Sequence, residues 1–143
     1  MKTMILFMMV FSAISSLNAQ DRNEGKKIQN AIRQWAQAAD AQNADAAAIH
    51  LDTHYRIVMN RLMGSPDVRT VDKETYLQML RDKKLGGDAR TLKFKRIKVV
   101  GSTASVELEM TGKKLHFQSL IQLIQDAEGN WKLVSDVPQI TAI

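Results

Sequence analysis

The chain has 143 residues, with 20 Lys and Arg against 15 Asp and Glu and no cysteine. That length supports one hydrophobic core of ordinary size rather than two, and the missing thiols exclude disulfide and thiolate chemistry. The net charge of +5 weakly favours anionic partners, but an aromatic share of only 6% leaves the basic surface without the interleaved rings that single-stranded nucleic-acid binders use, so no nucleic acid is expected as a partner.

Lys2 precedes an apolar run from Met4 to Ile14, followed by Ser15, Ser16 and Leu17-Asn18-Ala19 before Gln20. This order of basic, apolar and small residues predicts a cleaved secretory signal peptide over residues 1–19, with Ala19 at the cut. The apolar run is too short for a membrane span, which needs about 20 residues, so no membrane anchor is expected after cleavage. The expectation is therefore one domain over residues 20–143 in a periplasmic or secreted location.

From Asn23 the apolar positions Ile28, Ala31, Ile32, Trp35 and Ala39 recur at helical spacing. Asp45 is a suitable N-cap for a short second helix through Ala46–Ile49. Residues His54 to Met63 read as a strand, with Tyr55, Ile57, Met59 and Met63 on one face. Gly64-Ser65-Pro66-Asp67 is a turn, and Val68 to Val71 a short return strand. Asp72 caps a third helix carrying Tyr76, Leu77 and Leu80, which Lys83-Lys84 and Gly86-Gly87 bring to an end. Four strands follow, over Thr91–Val100, Thr103–Thr111, Leu115–Gln125 and Trp131–Val137, joined by short turns as an antiparallel meander. Helices gathered before an antiparallel sheet define an α+β domain, and a sheet this long is expected to curl around the helices with a chamber between them.

These patterns resemble the nuclear transport factor 2-like superfamily, and within it the small bacterial branch labelled "putative lumazine-binding". The residues carrying the likeness are Trp35, Ala39 and Asp45, the stretch Val71-Asp72-Lys73-Glu74-Thr75-Tyr76-Leu77, and above all the C-terminal third. There Thr103-Ala104-Ser105-Val106-Glu107-Leu108, His116-Phe117-Gln118, Leu120, Leu123 and Gly129-Asn130-Trp131-Lys132-Leu133-Val134 follow the family pattern. The resemblance implies a cone-shaped fold, with three N-terminal helices packed on a curved antiparallel sheet. Its motifs are core and turn residues, which identify a fold better than an activity. Isomerases and dehydratases of that superfamily place a general base on the strand after the second helix. Here that stretch is Arg56-Ile57-Val58-Met59-Asn60-Arg61 and holds no carboxylate.

The expected function is an exported, non-catalytic binding protein for a small, partly apolar ligand. Tyr55, Met59, Tyr76 and Met110 supply an adaptable apolar wall with polar tips, and His116 and Gln118 supply polar groups at the mouth. No catalytic set, metal site or cofactor is expected. His50-x-Asp52-x-His54 has metal-ligand residue types, but it straddles a helix end and a strand start, so its side chains need not converge. The alternatives are a lyase or isomerase using Asp52 with His54 or His116 as general acid and base, or a pocketless dimeric interaction module. Lys93, Lys95, Arg96 and Lys98, with Arg90, Lys113 and Lys114, offer an anion-binding face, although Glu107 and Glu109 on the neighbouring strand make a cross-strand charge ladder the simpler reading. The Leu115–Gln125 strand is partly apolar on both faces, which predicts a homodimer through the outer sheet face.

Overall fold

The computed structural model describes the backbone of residues 2–143 and the side chains from residue 19 onward. The export signal expected over residues 1–19 therefore falls, but for Ala19, on side chains outside the described residues. Helix α1 is Lys2–Asp40 and α2 is Ala44–Ala48; strands β1 (Leu51–Asn60) and β2 (Val68–Asp72) follow. Helix α3 (Lys73–Arg81) then leads into β3 (Thr91–Val100), β4 (Thr103–Thr111), β5 (Leu115–Gln125) and β6 (Trp131–Ala142). The order and number of elements are those expected. Among the described residues, no helix is long and apolar enough to cross a membrane.

Helix α1 begins well before Asn23, because the added span contains no proline to stop it. Its inner stripe buries Ile28, Ile32, Trp35, Ala36 and Ala39, and each fully buried isoleucine contributes about 1.5–3 kcal/mol. Glu24 fastens this helix to the sheet. Its Oε2 accepts hydrogen bonds from Trp131 Nε1 at 2.7 Å and Gln125 Nε2 at 3.1 Å, while Lys27 Nζ donates to Oε1 at 2.9 Å. Asn43, not Asp45, caps α2 by accepting from the Ala46 backbone N–H at 3.1 Å, which moves Asp45 into the first turn. Asp72 caps α3 as expected, its Oδ1 accepting from Thr75 N at 2.8 Å.

The six strands form one sheet in the order β2-β1-β6-β5-β4-β3. Every junction is antiparallel except β1–β6, which is parallel. Two strands, β1 and β6, differ from expectation by three residues or more. Strand β1 spans Leu51–Asn60, because Arg61 and Met63 take left-handed backbone (φ 54° and 51°) and turn the chain, leaving Met63 exposed. Strand β6 continues past Pro138 to Ala142. Proline lacks the N–H that a central strand needs, but the β1–β6 register ends at Ile57 opposite Asp136, so Pro138 sits beyond that ladder.

The sheet curves through register shifts. Lys95 is an extra residue of β3 between the Phe94–Leu108 and Arg96–Glu107 pairs. Val134 is an extra residue of β6 between the Leu123–Leu133 and Gln122–Ser135 pairs. Each such bulge bends its strand and sharpens the local twist. The concave side carries the buried Val106, Leu108, Met110, Ile121 and Leu123 against α1 and α3. On the convex side Lys95–Glu109 (3.5 Å) and Arg96–Glu107 (3.7 Å) form the cross-strand ladder.

Candidate ligand cavity

The concave sheet, α1 and α3 enclose a cavity of about 250 Å³. Helix α1 contributes Trp35 and Asp40, and α3 contributes Tyr76, Met79 and Leu80. The sheet adds Ile57 and Met59 from β1, Phe117 from β5, and Asp136, Pro138 and Ile140 from β6. The loop between α3 and β3 closes one side with Lys84, Gly86, Asp88 and Arg90. Gly86 is required there. Its φ is +78°, and a Cβ would lie 2.2 Å from the Ala39 carbonyl oxygen. Asp88 ties this loop to the β4–β5 turn, accepting from the backbone N–H of Lys113 (2.8 Å) and Lys114 (3.2 Å).

The walls are mainly apolar, and their polar groups lie together. Arg90 is pinned to the end of α1. Its Nε donates to Asp40 Oδ1 at 2.7 Å and its backbone N–H to Oδ2 at 2.9 Å. The guanidinium then lies over the Phe117 ring at 5.1 Å and beside Trp35 at 5.8 Å. Across the floor is Asp136, only 4% exposed. Burial raises its pKa from 3.8 to about 7, against the opposing pull of the Ser119 hydroxyl and Arg90. Tyr55 and Tyr76 meet edge to face with ring centroids 5.6 Å apart. Burial pushes both hydroxyls above their ordinary value, so they stay protonated. Among the described residues, Trp35 Nε1, Tyr55 OH, Ser119 Oγ and Asp136 Oδ1 are buried without a hydrogen-bond partner of good geometry. Ser119 is close enough to lower the Asp136 pKa without an aligned bond. Such groups occur rarely and call for an explanation.

Of the six residues expected to line a pocket, Met59 and Tyr76 do so. Tyr55 lies directly behind Tyr76, 1% exposed, and Met110 is core, also 1% exposed. His116 and Gln118 face the opposite side of the sheet. Met110 pairs with Phe117, so Phe117 is the inward residue and its neighbours point outward. His116 Nδ1 there bonds Thr111 Oγ1 at 2.9 Å. The inward phase was legible, because Phe117, Ser119, Ile121 and Leu123 continue the alternation of β4.

The Asp52–His54 pair forms, with Oδ1 and Nδ1 2.9 Å apart, but the His54 side chain is 84% exposed and neither residue lines the cavity. His116 is not brought to Asp52. Leu51 registers with Leu133 of β6 and His116 with Thr141, eight residues further on, or ~26 Å along the strand at ~3.3 Å per residue. Among the described residues, no three His, Asp or Glu side chains gather as a metal site would require. Arg90, read as part of a basic face, is a cavity residue instead. Strict alternation from Trp131 and Leu133 would turn Asp136 outward. The bulge at Val134 reverses that phase.

A family model described as "Putative lumazine-binding" matches residues 20–137. No curated protein matches the chain in sequence. Solved structures of the same shape include an NTF2-like protein of unknown function from Silicibacter pomeroyi, with a TM-score of 0.73 at 14% identity over 85% of this chain and 98% of that one. An NTF2-like protein of unknown function from Shewanella baltica gives 0.71 at 14% identity, covering 83% and 94%. An NTF2-like protein from Cytophaga hutchinsonii gives 0.63 at 19% identity, covering 81% and 95%. At these identities the likeness establishes the fold alone, an NTF2-like set of three helices on a curved, open sheet.

Proposed function

The chain belongs to the family described as "Putative lumazine-binding", and from that premise we propose that it is an exported binding protein for a small, partly apolar ligand held between the sheet and the helices. The carrying observation is the apolar cavity with a buried carboxyl, Asp136, whose Oδ1 has no protein partner. Concave apolar sites with a few converging polar groups are the usual form of a ligand pocket. At about 250 Å³ the space equals about eight waters at ~30 Å³ each, which sets a compact ligand. Export rests on the first nineteen residues, and a mature chain starting at Gln20 is its signature in an intact-mass spectrum. Native mass spectrometry of protein taken from the periplasm tests the binding role. A retained small molecule supports it, and repeated recovery of bare protein that also binds nothing from a ligand panel including lumazine counts against it.

One observation favours a second reading, a lyase or isomerase. A carboxyl titrating near pH 7 in a cavity is suited to proton transfer. A retained molecule that the protein interconverts with an isomer would favour catalysis over storage.

The partner we propose is a second copy of the chain, docked through the convex sheet face. Leu120 (56% exposed) and Val137 (43% exposed) sit opposite each other on β5 and β6. Gln118, Gln122 and Gln139 surround them and the charged ladder lies to one side. A charge-poor centre is what an interface core presents, and a two-fold contact brings that centre onto itself.

A further inference from the structure

We infer that the polar end of the cavity is a subsite for the carboxylate, or an equivalent oxyanion, of a compact acid with an apolar body, held between the Arg90 guanidinium and the Asp136 carboxyl. The inference rests on the ligand-binding reading and adds the chemical class of the ligand.

The inventory of unmet hydrogen bonds points to an acceptor-rich guest. Of the four buried groups without a well-formed hydrogen bond, Trp35 and Asp136 line the cavity: Trp35 Nε1 can only donate, and the Asp136 carboxyl donates when protonated and only accepts when ionised. Arg90 uses its Nε and backbone N–H on Asp40. Among the described residues, no acceptor meets its two Nη groups, which leaves the fork that fits a carboxylate in two-point fashion. Phe117 and Pro138 line the same space and would cover an apolar body.

Charge decides the proton. Arg90 and Asp40 cancel each other. At the rim the opposite charges of Lys84 and Asp88 offset each other, and the backbone N–H groups of Lys113 and Lys114 hold Asp88 in place. From α3 the cavity meets Tyr76, with Tyr55 of β1 behind it, both uncharged. The ionisation of Asp136 therefore sets the net charge that a ligand oxyanion meets. An ionised Asp136 repels it; a protonated one donates to it, as buried carboxyls kept neutral by apolar surroundings do. Because burial keeps the proton up to about pH 7, oxyanion binding above that pH takes up one proton.

Isothermal titration of the mature protein with benzoate, and with benzamide as a neutral probe of the same size, tests this. Benzoate stays ionised from pH 6 to 8.5. Its affinity is expected to fall about 30-fold across that range, as one-proton linkage requires. Two buffers of different ionisation enthalpy should reveal uptake of about one proton at pH 8.5, a measurement that needs no variant. Asp136→Asn should flatten the pH profile, with circular dichroism reporting that the variant is folded. Binding of benzamide without benzoate would overturn the oxyanion assignment and leave the cavity reading standing. Benzoate binding with neither pH slope nor proton uptake would overturn the part given to Asp136. Failure of both probes to bind would overturn the subsite, while a different molecule retained from the periplasm would preserve the ligand-binding reading.

Discussion

Asp136→Asn should gain stability relative to the natural chain as pH rises from 4 to 8.5. Asp136 is 4% exposed, its Oδ1 lacks a partner, and burial raises its pKa from 3.8 to about 7. Between those values the unfolded chain gives up the proton that the folded chain keeps. Stability from this group is therefore whole below pH 3.8, declines as pH rises, and levels off above about 7. At 1.36 kcal/mol per pH unit the full decline is roughly 4 kcal/mol, a large part of the 5–15 kcal/mol that ordinary domains possess. Asparagine cannot ionise, so the variant lacks this slope. Its buried amide costs about 1–3 kcal/mol at every pH if unpartnered, which makes the slope the informative quantity rather than the level. Urea unfolding at pH 4, 5.5, 7 and 8.5 measures it. The natural chain should lose at least ~2 kcal/mol relative to the variant over that range, with similar m-values. Parallel stability profiles for the two proteins would refute the reasoning.

Glu24→Gln removes the charge that three side chains share on α1, and should cost about 1.5–3 kcal/mol in urea unfolding at pH 7; a change below ~0.5 kcal/mol would mean the clamp contributes little. Gly86→Ala forces a Cβ toward the Ala39 carbonyl at a backbone angle alanine disfavours, and should lower stability by at least ~2 kcal/mol, read as a fall in melting temperature. Leu120→Asp places a charge at the centre of the proposed dimer face. Light scattering should give twice the chain mass for the natural protein at micromolar concentration and the single mass for the variant; a natural protein that is already monomeric would refute the interface.

Several limits of β3, β4 and β5 were legible from alternation and glycine-marked turns alone, because those strands are joined by short hairpins whose pairing is local. The helical stripe of α1 and the cap of α3 were legible for the same reason, since their signals lie within a few residues. The cavity residues were harder. Met59 and Tyr76 sit on elements whose inward faces are apolar and periodic, so their direction could be read. Tyr55 and Met110 also point inward, but neighbouring side chains fill the space before them, and packing of that kind depends on residues distant in the chain.

By itself, the amino-acid order determined which segments become helix and strand, and that their apolar faces must meet. Only the tertiary structure decided what stands inside. One unpaired residue, Val134, shifts the phase of β6 and turns Asp136 into the cavity, while the parallel β1–β6 contact brings Ile57 beside it. Side chains alternate with a period of two, so a single bulge sends every later residue to the other face. That shift arises from pairing with a neighbouring strand, and no local pattern in the β6 segment records it.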